Sequence, residues 1–197
     1  MKTLDAYLQS SAIIDCDHPL IVAKAKELKG PLHNDAKIAE ACFIFVRDHI
    51  RHTGDHKDMI ITCQASDVLI HQTGWCYAKS HLLAALCRAN GIPTGFCYQR
   101  LSLYDDQEPY TLHGLNAVYL KNFGWYRIDA RGNKNGVNAL FTPPTEHLAF
   151  HVRTSHEIDF REILTEPLDL VVNALQTYTT FETSLANLPD CTKIEPF

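Results

Sequence analysis

No Cys-x-x-Cys pair occurs among the seven cysteines, so the usual signature of a structural zinc site is missing. No cluster of lysine and arginine stands above the background. The 18 basic residues are outnumbered by 23 acidic ones, a net charge of -5, so nucleic acid and anionic membranes are not expected partners. No apolar run approaches membrane-spanning length, and Met1–Ser10, with Lys2 and Asp5, lacks the apolar core of a signal peptide. Repeats, low-complexity segments and an H-E-x-x-H metal motif are all missing as well.

What remains is 197 residues with 46% hydrophobic content, the size and composition of one globular domain. We expect a single domain over residues 1–197, its core spanning about 35–150. An odd number of irregularly spaced cysteines suits a reducing compartment, hence the cytoplasm, better than a disulfide framework. Cys42, Cys87 and Cys97 sit among apolar neighbours and read as core residues.

Periodicity predicts a helix over residues 20–29, stopped by Gly30-Pro31, and a second one capped by Asn34 or Asp35. Residues 52–58 read as a loop, and Ser66-Asp67 as the start of a short helix. A third helix begins near Trp75 or Cys76 and ends at Asn90-Gly91, with Pro93 just beyond. It is apolar nearly all round, which predicts burial. The period then changes to that of strands, over 95–104, 111–120 and 125–130. A hairpin centred on Asn122 sets Leu115 opposite Asp129 and makes His113 the diagonal neighbour of Asp129, about 7–8 Å away. Helices are expected around 146–150 and 168–178, and a loose tail over the last dozen residues.

The stretch Gly74-Trp75-Cys76-Tyr77-Ala78-Lys79-Ser80 places a cysteine where a turn becomes an apolar helix. Unpaired N–H groups and the helix dipole there favour thiolate, the reactive form. Cys76 as nucleophile, His113 as base and Asp129 as the group that orients the imidazole make a complete thiol acyl-transfer set. The backbone N–H of Cys76 is one oxyanion donor. Gln64, Gln72 and His52 are candidates for the second, with Gln64 favoured. Trp75, Lys79, Tyr98, Arg100 and Arg131 are candidate groove residues, and the segments 131–138 and 141–144 are expected to border the groove.

Plainer readings stand beside each of these. A helical cysteine or a strand histidine is more often structural than reactive, and Arg127 or Arg131 could pair with Asp129 instead. His147 and His151, spaced i, i+4, could present a helix face to a metal, with His156 the only third ligand nearby. A surface face is the simpler account. His49, His52 and His56 read as a solvated helix end and loop. No cofactor and no metal is expected.

The chain resembles the bacterial transglutaminase-like cysteine enzymes. The resemblance rests on Gly74 to Ser80, on Leu82 to Pro93, on Leu112-His113-Gly114-Leu115-Asn116-Ala117-Val118-Tyr119, and on Gly124-Trp125-Tyr126-Arg127-Ile128-Asp129. Matching blocks run from about Phe45-Val46-Arg47-Asp48 to Asp129. It implies an α+β, papain-like fold with the cysteine helix packed on an antiparallel sheet, and Cys76, His113 and Asp129 in the family's three roles. Two departures are visible: Ala130-Arg131 follows the aspartate where many members carry proline, and His52 falls near a position that is often aromatic. No loop resembles the calcium sites of animal transglutaminases.

The activity implied is attack on an amide or ester of a peptide, protein or small molecule through a thioester. Hydrolysis is favoured over amine transfer, because water is always present and no amine site is evident. A non-catalytic binding module with the same fold is the alternative. The oligomeric state is not legible.

Overall fold

A computed structural model describes residues 3–104 and 107–194. After a short 3-10 helix at Leu4–Leu8 come α1 (Pro19–Lys29), α2 (Asp35–His49), β1 (Arg51–His52), α3 (Thr53–His56), α4 (Ala65–His71) and β2 (Thr73–Gly74). The second half runs α5 (Cys76–Ala89), β3 (Thr94–Tyr104), β4 (Gln107–Leu120), β5 (Gly124–Ile128), β6 (Ile158–Asp159), α6 (Asp169–Thr177) and α7 (Phe181–Ala186). The main sheet is antiparallel in the order β5-β4-β3-β6, and β1 and β2 form a small parallel pair of their own. No helix among the described residues is long and apolar enough to cross a membrane.

The helices begin and end where the local chemistry requires. Proline opens α1, where its missing N–H costs nothing, and Gly30 closes it at a φ of 45°. The Asn34 side chain accepts the Lys37 N–H at the start of α2. α5 is buried from Cys76 through Arg88 and lies between α1, α2 and α4 on one side and the sheet on the other. Leu82, Leu83 and Leu86 are completely buried. Each contributes about 1.5–3 kcal/mol on the scale of apolar burial.

The β4–β5 pairing matches Asn116 with Ile128 and Leu120 with Gly124, so the next step sets Leu115 opposite Asp129. This is the register expected from a turn centred on Asn122. Asn116 is fully buried, and its amide donates to the carbonyls of Ser80 and Gly95, tying α5 to the sheet.

Three expectations fail. Residues 53–56 form the short helix α3 rather than open loop. The 146–150 stretch is not helical, because it is drawn across the sheet, with His147 bridged to Leu140 and the Ala149 N–H bonded to Asp129. The final dozen residues are not a loose tail as far as 194; the part of that expected tail over 195–197 lies outside the described residues. α7 carries a capping box through Thr180 and Thr183. Beyond it, Pro189 O accepts the Leu112 N–H and Asp190 pairs with Arg100, while Ile194 is buried.

Candidate active site

Cys76 is the first residue of α5, and the capping residue Trp75 offers that end no side-chain hydrogen bond. The first-turn N–H groups therefore keep their partial positive charge at the sulfur. The strand β4 approaches this turn closely because residue 114 is glycine. A Cβ there would sit 3.0 Å from Tyr77 Cα and 3.2 Å from the Tyr77 ring. The close approach leaves Gly114 N 3.5 Å from Cys76 Sγ and brings the preceding residue, His113, near enough to the same thiol for the two to interact electrostatically.

His113 Nε2 lies 2.7 Å from Asp129 Oδ2, which leaves Nδ1 for the thiol. Asp129 is fully buried and also accepts the backbone N–H groups of Arg131 (3.1 Å) and Ala149 (3.0 Å). Burial alone would raise its pKa, but the charge of His113 and these donors hold it below the usual carboxylate range. For His113, burial opposes the charged ring. The charges of Asp129 and Cys76 outweigh it and lift the imidazole to about 10. Phe150 meets the His113 ring edge-on, with centroids 5.0 Å apart, and fixes its plane. Arg127 and Arg131 do not pair with Asp129; Arg127 holds Glu146 and Asp159, and Arg131 holds Asp55.

A cleft of about 510 Å³ opens over Cys76 and His113. Trp75, Arg131 and His52 line it. His52 arrives through the β1–β2 pair, which sets it beside Gly74. It is buried rather than solvated, meets Trp75 edge-on at 5.6 Å, and has no hydrogen-bond partner for its buried Nδ1. Burial, joined by the charge of Arg131, pushes it below its ordinary pKa, so the ring is neutral.

The other candidates lie elsewhere. Gln64 Nε2 donates to Ala12 O, and Gln72 ends α4 in a left-handed turn; neither lines the cleft. Tyr98 is buried under α6, its hydroxyl accepting the Leu168 N–H. Arg100 is turned outward to Asp190 and the His156 carbonyl. Lys79 is fully buried beneath the site, its ammonium donating to the carbonyls of Ile50 and Arg47. Burial, then Arg131, lowers its pKa to about 7. Of the bordering segments, 131–138 contributes Arg131, Lys134 and Gly136 to the cleft, whereas Phe141 packs on Phe43 and Tyr126. With residues 146–150 not helical, the His147–His151 metal face does not form, and His147 Nδ1 contacts the Thr142 hydroxyl. No group of three His, Cys, Asp or Glu residues among those described could hold a metal ion.

Sequence reasoning misses Ala149, Phe150 and Asn116. Asn116 has a visible signal, a lone amide inside the apolar run Leu115–Val118. Ala149 and Phe150 have none, because they act through a backbone N–H and a ring edge delivered from a non-helical segment.

No curated protein matches the chain. Among solved structures, it resembles a "Putative Cysteine Protease" from Cytophaga hutchinsonii at 20% identity and a TM-score of 0.52, over 65% of this chain and 42% of the other. It also resembles the periplasmic domain of TgpA from Pseudomonas aeruginosa at 19% identity and a TM-score of 0.50, over 65% of this chain and 48% of the other. The matched region thus spans less than half the length of each of these two neighbours, and the likeness is one of fold. The model of the Transglutaminase-like superfamily matches residues 22–130. That match takes in α5, the glycine contact and Asp129 and covers more than half of the sequence, and the chain belongs to the transglutaminase-like superfamily.

Proposed function

We propose that the protein is a thiol-dependent acyl-transfer enzyme acting on an amide or ester, with Cys76 as nucleophile, His113 as general base and acid, and Asp129 as the residue that orients and charges the imidazole. The observation that carries this reading is the Asp129 carboxylate bonded to His113, with β4 packed so that Gly114 N meets the Cys76 thiol at an uncapped helix start open to the cleft.

In the first half-reaction the Cys76 sulfur adds to the carbonyl carbon. The C–N bond then breaks as His113 gives its proton to the departing amine, leaving an acyl thioester. In the second, water adds to the thioester while its proton passes to His113. The S–C bond breaks and the acid leaves. The developing oxyanion is met by the backbone N–H of Cys76 and by the neutral ring of His52 across the cleft. A peptide, protein or small amide is the substrate, and water is the preferred acceptor because the cleft holds no evident amine site.

The test is the rate of Cys76 alkylation by iodoacetamide from about pH 4 to about 9, with the site located by peptide mass spectrometry. Cys76→Ser serves as the control. A fast reaction already present below neutral pH, lost by an order of magnitude or more in His113→Ala, is the expected result. A rate unchanged in His113→Ala would overturn the reading and leave a binding module of the same fold.

A further inference from the structure

The chain has eight arginines, and six of them hold a carboxylate within 4.0 Å. Among the described residues, Arg153 and Arg161 hold none at that distance. Their settings differ. Arg153 lines the cleft over Cys76, and Arg161 does not.

The main chain that carries Arg153 is held in place. The Glu157 carboxylate accepts the backbone N–H of Arg153 at 2.6 Å and those of Ser102 and Thr154 at 3.1 and 3.4 Å. Burial alone would raise the Glu157 pKa, but these donors hold it below its ordinary value, with the Arg153 charge a smaller contribution. The nearest acid of the segment is therefore spent on three main-chain donors, and the guanidinium closes no ion pair with it. Four residues earlier, Ala149 is tied to Asp129, and the neighbouring Phe150 packs on His113. The segment is fixed at both ends, with Arg153 between them.

The other arginine and lysine side chains lining the cleft are Arg131 and Lys134. They share a single carboxylate, Asp55, so even with Glu157 counted the cleft lining carries a surplus of positive charge, in a chain of net charge -5. A cation on the lining of a concave site, with no carboxylate partner among the described residues, attracts and orients an anion.

Resting on the thiol acyl-transfer reading, we propose that the cleft selects amides that carry a carboxylate on the part of the substrate lying along the cleft, and that Arg153 receives this carboxylate. An acidic peptide and a small amide acid both present that chemistry.

The test compares iodoacetate with iodoacetamide, which alkylate Cys76 by the same displacement of iodide and differ by a carboxylate. The ratio of the two rates is measured against N-acetylcysteine in the same buffer. The wild-type ratio is expected to exceed that of the free thiol. Arg153→Gln should lower it about fivefold, the scale of one partly solvated charge pair, and Arg153→Lys should retain most of it. Arg161→Gln removes the same charge elsewhere and should leave the ratio unchanged. Equal ratios in wild type, Arg153→Gln and Arg161→Gln would overturn the assignment.

His113→Ala keeps the two levels apart. If alkylation depends on His113 while the ratio ignores Arg153, only the carboxylate assignment fails. If alkylation does not depend on His113, the acyl-transfer reading fails first. Protection of Cys76 by N-acetylglutamine or by a blocked glutamate-containing tetrapeptide distinguishes the two sources. Equal protection by the blocked glutamine-containing tetrapeptide would also overturn the proposal.

Discussion

The two ends of α5 are built in opposite ways. At its C-terminal end nearly every free group is engaged. Asn90 donates its side-chain amide to Leu86 O and Ala25 O. The N–H groups of Gly91 and Ile92 close on Arg88 O and Cys87 O. The Arg88 guanidinium, inaccessible to solvent, gathers the carbonyls of Thr94, Gln9 and Thr165. At the N-terminal end no side chain caps the helix, and the first residue is a cysteine facing a cleft. One end anchors the helix and the other is left with unspent electrostatic potential, about 20 Å away along the same element.

The two ends should therefore respond to different measurements. Arg88→Ala should have the largest effect on stability. It strands several buried carbonyls and should cost about 3 kcal/mol or more by chemical denaturation, while the protein that remains folded keeps its His113-dependent alkylation. Gly114→Ala should do the reverse. The new methyl must displace Tyr77, so alkylation near pH 6 should fall about tenfold, with a stability loss of only about 1–3 kcal/mol. A Gly114→Ala protein as reactive as wild type would show that the close approach is mere packing.

A subtler effect concerns pH. The raised pKa of His113 contributes stability that is present below the ordinary histidine value and is lost as pH rises toward about 10. The lowered pKa of Lys79, about 7, acts in the opposite direction over the same window, because the unfolded chain binds the extra proton there. The two offset each other in the wild type. In Lys79→Met, stability should therefore fall more steeply between pH 7 and pH 10 than in the wild type. An equal slope would dismiss the opposition. The smallest change expected is Ser184→Ala, which leaves the buried Trp75 indole N–H without its acceptor and should cost about 1 kcal/mol.

Much of this architecture is legible in the amino-acid sequence. The burial of α5 follows from its apolar circumference, its start from Trp75-Cys76 and its end from Asn90-Gly91. The opposition of Leu115 and Asp129 follows from one turn and a period of two. What is not legible is the work of irregular chain. The 146–157 segment carries no helix, yet it supplies the Ala149 N–H to Asp129, the Phe150 ring to His113 and the guanidinium of Arg153. Backbone donors and ring edges leave no pattern in a sequence. Gln64 has the chemistry and the upstream position of an oxyanion donor, but nothing local reveals that Ala12 O occupies its amide. His52 reads as solvated because the two-residue pair β1–β2 is too short to show a period.

Pro189 has a consequence beyond the site. β5 pairs with β4 only from Asn116 onward, so the earlier half of β4 has a side that β5 does not cover. The carbonyl of Pro189 closes on the Leu112 N–H there, and the adjacent Asp190 is clamped by Arg100. A proline can accept a hydrogen bond from a strand but has no N–H to offer the next one. The contact therefore terminates the sheet as well as covering it. Residues 187–190 act as a stopper against strand-to-strand self-association, placed one residue from the imidazole.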